Sequence, residues 1–316
     1  MKKTWKNVTL LVLVLTLFCS MCAFADAEKK FPEDYRIGIC VMGRPDEWSI
    51  QCYDSFVNAT RDFKEAIILD GNLDHETQVK QFDNLITQQV DMIIIDAYNP
   101  DGFVDLCEKA KAAGIAVGAY NTKLNWDGLS FYVTWSHSET GELAGKWAVD
   151  YINNELGGEA TVGLLRQDDY PMCVLRVNAF LEQISQLPKV KVTQEQNVEH
   201  TREAGQNTVL NYPTPVDLIY CVTDNGAQGA VAALRQLNNT HTAVISSGGY
   251  GEECFSLLRE NDPNYKACVM VDPVILATET IDEVEKYFTG NGENIVGREM
   301  QIYIADASNI NEYVPQ

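Results

Sequence analysis

The chain has 316 residues, 46% hydrophobic and 22% charged, enough for about two packed domains and with no stretch that reads as disordered. Its formal net charge is −21. That argues against nucleic acid and against anionic lipid surfaces, both of which need clustered Lys and Arg.

The first 25 residues stand apart. A basic start, MKKTWK, leads into the apolar run VTLLVLVLTLF, and the segment ends in Ala23-Phe24-Ala25 before Asp26. This is the pattern of a secretory signal peptide over residues 1–25, too short for a comfortable membrane span. Export to the periplasm or cell envelope is therefore expected. Lipid anchoring at Cys19 or Cys22 is not favoured, because Phe18 and Met21 stand where a small residue belongs. The leader carries Lys2, Lys3 and Lys6 and no acid, so the exported part is more acidic still.

Beyond it, short apolar runs alternate with amphipathic stretches. In chain order the runs are YRIGICV, AIILD, DMIIIDA, IAVGAY, FYVTW, ATVGLLR, KVKVTQ, DLIYCV, TAVISS, KACVMV and MQIYIA. Between them lie helical patterns such as ETQVKQFDNLITQQ and DGFVDLCEKAKAAG, the latter stopped by Gly114. Strand–helix alternation of this kind predicts parallel sheets with helices on both faces. The fold class expected is α/β, in two doubly wound lobes: one series of units over Tyr35 to Tyr120, a second from near Ala160 to about Met270. No Pro/Gly/Ser-rich linker separates them, so the boundary is expected to be a crossing strand.

Cysteine and histidine usage excludes several chemistries. Cys40, Cys52, Cys107, Cys173, Cys221, Cys254 and Cys268 form no CxxC pair and no Cys/His cluster of metal-ligand spacing. Phosphate-binding glycine loops, HExxH and GxSxG are absent, and SSGGYGEE reads as a tight strand-to-helix turn. The reading is a non-enzyme without cofactor or metal.

In open α/β sheets ligands sit outside the carboxyl ends of the strands. The loops there hold Arg44, Asp46 and Trp48 after the first strand, and Asn121 after the fourth. They hold Trp135 after FYVT, Tyr170 and then Arg176 after ATVGLLR, Thr223 and Asp224 after DLIYCV, and Asp272 beyond KACVM. Carboxylates, amides and an Arg fork bind hydroxyls, and an aromatic face packs the C–H side of a sugar ring. Singly, Asp46, Asn121 and Asp224 are also good turn or cap residues. Their common placement is what points to a ligand.

With these residues in view, the chain resembles the periplasmic sugar-binding proteins of ribose/galactose type (type I periplasmic binding proteins, the substrate-binding components of ABC transporters). The resemblance runs from Tyr35 to Asp306 through RIGICVMGRPDEW, VDMIIIDAYNPDG, AKAAGIAVGAYNT, YVTWSHSETGELAGKWAVDYI and, most specifically, DLIYCVTDNGAQGAVAALRQL. It implies two lobes joined by three crossing strands, with residues 35–134 plus 272–297 in the first and 137–270 plus 300–316 in the second. The ligand would lie between the lobes, which would close by hinge bending. It implies ligand contacts at Asp46, Trp48, Asn121, Arg176 and Asp224, with Arg44, Trp135, Tyr170, Thr223 and Asp272 as further candidates from their placement. It also implies a monomer that delivers a sugar-like small molecule to a membrane ABC permease; the alternative is a component that signals to a chemoreceptor or sensor kinase without transport. The departures fall in the second lobe. Thr223 replaces the family's Asn, Gly248 its Asp, Val271 its hinge amide and Met172 an acid, and the calcium loop of galactose binders is missing. A ligand smaller or more apolar on that side is the expectation.

Overall fold

A computed structural model describes residues 29–290 and 297–314; the expected signal peptide lies outside them. The apolar runs become strands as their composition requires. The first lobe is built on β1 (Arg36–Val41), β2 (Glu65–Asp70), β3 (Met92–Ile95), β4 (Ala116–Tyr120) and β5 (Phe131–Thr134). Helices α1 (Glu47–Ala59), α2 (His75–Thr87) and α3 (Val104–Ala112) alternate with the first four of these strands. The second lobe holds β6 (Ala160–Arg166), β7 (Val190–Asn197), β8 (Leu218–Cys221), β9 (Ala243–Gly249) and β10 (Tyr265–Met270). Its helices are α4 (His137–Glu155), α5 (Pro171–Ile184), α6 (Arg202–Leu210), α7 (Asp224–Gln236) and α8 (Glu252–Arg259). The chain then runs through α9 (Pro273–Thr289), β11 (Arg298–Glu299), β12 (Tyr303–Asp306) and α10 (Ile310–Tyr313).

The sheet orders are β11-β5-β4-β3-β1-β2 and β12-β10-β9-β8-β6-β7. Both are doubly wound about their first strand, and every pairing is parallel except β10 with β12. The chain crosses between the sheets three times: after β5, after β10, and between β11 and β12. Central strands such as β3 and β8 are buried along their whole length, as strands covered on both faces are. β7 departs from the expected apolar pattern. It is a polar edge strand, and only Gln194 in it is buried. All seven cysteines of the described part are buried free thiols, packed as small hydrophobes. Among the described residues no helix is long and apolar enough to cross a membrane.

Two close approaches position the cleft. Gly141 of α4 lies directly against α5: a Cβ there would stand 2.0 Å from the carbonyl oxygen of Arg176. At the crossing after β10, the Trp48 indole N–H donates to the Val271 carbonyl at 2.8 Å, tying the start of α1 to the segment that crosses between the lobes.

Candidate functional site

The carboxyl ends of both sheets face one cleft, with an empty volume of about 820 Å³ including the open solvent at its mouth. From the first lobe it is lined by Asp46, Trp48, Ser49, Cys52, Tyr53, Asp96, Tyr120, Asn121 and Trp135, with Val41, Met42, Pro45 and Leu73 around them. The second lobe contributes Tyr170, Met172, Cys173, Arg176, His200, Thr223, Ser247 and Gly248.

On the first wall, Asn121 is fixed from three sides. Its N–H donates to Val133 O at 2.9 Å, its carbonyl accepts from Thr134 Oγ1 at 2.7 Å, and its Nδ2 donates to Asp96 Oδ2 at 2.9 Å. Its φ of +55° is a left-handed conformation that Asn tolerates better than most residues. Its Oδ1 is buried without a partner, and so is Asp96 Oδ1. Asp96 is 4% exposed. Burial pushes its carboxyl up to about 7, against Asn121 and Thr122, which favour the charged form. Trp135 is 3% exposed, edge-on to Trp48 at 6.0 Å and to His137 at 5.0 Å, and its indole N–H has no acceptor.

On the second wall, Arg176 is 6% exposed. Its Nη1 donates to Val222 O at 3.1 Å, and its Nε and Nη2 lie 3.4 and 3.2 Å from His137 Nδ1. Burial, and then the adjacent guanidinium, hold His137 well below the usual imidazole range, so it stands neutral and accepts from the Arg. No carboxylate among the described residues lies within ion-pair distance of Arg176. The missing acid at Gly248 has a local reason. That residue has φ +73°, and a Cβ on it would stand 3.0 Å from Arg176 Nη1, so the guanidinium fills the space a side chain would take. Thr223 accepts from Gln167 Nε2 at 3.1 Å, and Ser247 shares a 2.8 Å hydrogen bond with Tyr220. Met172 and Cys173 make the rest of this wall less polar.

Of the residues singled out from sequence, the cleft brings together Asp46, Trp48, Asn121, Trp135, Tyr170, Arg176 and Thr223. It does not bring Asp224, Asp272 or Arg44 to its lining. Asp224 turns inward: Oδ1 accepts from Ser246 Oγ at 2.9 Å and from the Tyr265 hydroxyl, and Oδ2 accepts from Gln228 at 2.9 Å. Burial raises its carboxyl despite these donors. Asp272 caps α9 through Val274 N and Ile275 N and accepts from the Tyr250 hydroxyl at 2.9 Å. Arg44 is exposed, bonded to Asp70 at 2.7 Å and lying over the Tyr53 ring. Asp46 is already engaged. Its Oδ1 caps α1 at Ser49 N, and its Oδ2 lies 3.0 Å from His200 Nε2 of the other lobe.

Asp96, His200 and Ser247 were not singled out from sequence. Asp96 is the first residue after β3, so the rule of looking just past each strand reaches it. One group among the described residues, Asp224, Cys254 and Cys268, brings metal-ligating atoms within 4.8 Å of one another. The Asp oxygens there are taken up by hydroxyl and amide donors, so the arrangement is that of a packed core.

Burial of Asp96 has a measurable consequence. A carboxyl with a folded pKa near 7 and an unfolded value near 4 keeps its proton longer in the folded state. Its contribution to stability therefore falls as pH rises from about 4 to about 7 and levels off above. Asp96→Asn removes this dependence. Urea unfolding of the ligand-free proteins should show the variant gaining on the wild type by more at pH 8 than at pH 5; a pH-independent difference contradicts the assignment.

Two α/β lobes with a polar and aromatic cleft between their strand ends define a cleft-type small-molecule binding protein. Residues 37–292 match the family model described as periplasmic binding protein domain, and the chain belongs to that family. Curated relatives include the D-xylose-binding periplasmic protein of Escherichia coli K12, 26% identical over 253 residues, covering 76% of this chain and 72% of that one. The galactofuranose-binding protein YtfQ of the same organism is 23% identical over 301 residues, 90% and 89% of the two chains. Among solved structures, an ABC transporter solute-binding protein from Bacillus halodurans C-125 with bound myo-inositol superposes with a TM-score of 0.80. It is 19% identical and covers 90% of this chain and 99% of its own. The periplasmic binding protein of the arabinose ABC transporter from Shewanella sp. ANA-3 gives 0.79 at 20% identity, over 88% and 93%.

Proposed function

We propose that the protein is exported behind a cleaved leader, residues 1–25, and works as a monomer. In this reading it captures a small neutral polyhydroxyl molecule, a monosaccharide or related polyol, and hands it to the permease of an ABC importer. The observation that carries the reading is the set of buried, unfulfilled polar groups around the cleft. Asp96 Oδ1 and Asn121 Oδ1 are acceptors without donors, Trp135 Nε1 is a donor without an acceptor, and Arg176 is a buried cation with no carboxylate. A buried polar group left unpaired costs about 1–3 kcal/mol. A ligand with vicinal hydroxyls relieves several such costs together, donating to Asp96 and Asn121 and accepting from Trp135 and Arg176. Thr223 adds a hydroxyl, Tyr170 an apolar edge, and Trp48 with Trp135 an aromatic face for the ring C–H groups. The carboxylates of Asp224 and Asp272 play no part at the ligand. The names of the relatives support this reading, since they are binding proteins for xylose, galactofuranose and apiose.

A thermal-shift panel of D-xylose, L-arabinose, D-apiose, D-allose, myo-inositol and glycerol tests it. A ligand present at a hundredfold excess over its Kd stabilises the folded state by about 2.7 kcal/mol, a rise of several degrees. A panel in which no compound moves the melting temperature would overturn the polyhydroxyl assignment.

A further inference from the structure

The mouth of the cleft is bridged by two adjacent acids that leave the first lobe together. Asp46 Oδ2 lies 3.0 Å from Nε2 of His200, in the connection between β7 and α6. Next to it, Glu47 Oε1 accepts from the backbone N–H of Glu252 at 3.1 Å, the first residue of α8. That helix has no side-chain cap of its own, because Gly251 precedes it. A Cβ at Gly251 would stand 2.3 Å from Glu47 Oε2, so the glycine makes room for the carboxylate of the other lobe. An acid at a helix N-terminus is favourable in both charge and hydrogen bonding. These contacts link the two lobes directly.

We propose that Asp46 and Glu47, with His200 and the amino end of α8, form a clasp across the mouth of the cleft that stabilises the closed form. Asp46 becomes a positioning residue in this view. One of its oxygens holds the start of α1 and the other holds the second lobe. The clasp rests on the reading of the cleft as a binding site that closes by hinge bending. It is tested without any sugar, so that the two can fail separately.

The test compares the ligand-free wild type with Glu47→Ala, His200→Ala and the double variant. Small-angle scattering reports lobe separation, and hydrogen exchange is followed at the first turn of α8. The conservative Glu47→Gln, which keeps an acceptor oxygen, serves as the control. Removing the clasp should enlarge the radius of gyration and speed exchange at the Glu252 amide by about threefold or more, most in the double variant. Glu47→Gln should restore most of the protection, and circular dichroism should show all variants folded. Unchanged scattering together with unchanged exchange at α8 would overturn the clasp, whatever the sugar panel shows. Loss of the folded dichroism signal in Glu47→Ala or His200→Ala would also overturn it, since both residues would then hold up the fold itself.

Discussion

Arg176→Met is expected to remove ligand binding and at the same time to raise, not lower, the melting temperature of the ligand-free protein. The two effects have one origin. The guanidinium is 6% exposed and has only neutral acceptors, Val222 O and a neutral His137. A buried ion held by neutral partners is incompletely compensated, and a hydrophobic residue of similar length is often neutral or stabilising in its place. The ligand loses what the apo protein gains. A hydrogen bond to a charged group contributes about 1.5–3 kcal/mol, so each one lost weakens binding roughly 10- to 150-fold. Thermal melts with and without the best compound of the panel check both signs. A variant that melts several degrees lower, or that binds as well as the wild type, contradicts the role given to Arg176.

Gly141→Ala should do the reverse to stability and the same to binding. The added Cβ would lie 2.0 Å from the Arg176 carbonyl oxygen and 2.9 Å from its Cα. These are backbone atoms, which cannot swing aside. The helix gains up to about 1 kcal/mol from replacing Gly by Ala. Against this, overpacking of close-set elements costs typically about 1–3 kcal/mol and occasionally more. At contacts this short the second effect wins. We expect a net loss of about 1–2 kcal/mol, or a fall of roughly 2–8 °C in melting temperature. Because the helix that moves carries Arg176, ligand affinity falls with it. An Ala variant that is as stable as the wild type would mean that α4 and α5 separate freely, and that the guanidinium is not held by their packing.

Much of this architecture was legible in the sequence, because continuous apolar runs between helical patterns have few other folded outcomes. The exceptions are instructive. β11 is only Arg298–Glu299, too short to form a run, and exists because it pairs with β5. The antiparallel direction of β12 comes from the final lobe crossing, which no local pattern encodes. β7 is polar because an edge strand needs no second apolar face. At the site, looking just past each strand found Asn121, Arg176 and Thr223, and applied after β3 it reaches Asp96. The same rule is ambiguous for acids that begin helices. Asp224 and Asp272 occupy that position, but their directions are decided by Ser246, Tyr265 and Tyr250, which lie far along the chain. His200 has no periodic context at all. Its partner Asp46 is 154 residues away, and only the approach of one lobe to the other brings the two together.

The most direct measurement of the central claim is a calorimetric titration of the sugar and polyol panel into the wild type and into Arg176→Met. We predict saturable binding of at least one compound at one molecule per chain, lost in the variant while its fold persists. No binding heat from any compound to folded wild type, or equal binding by both proteins, would contradict the assignment of the cleft.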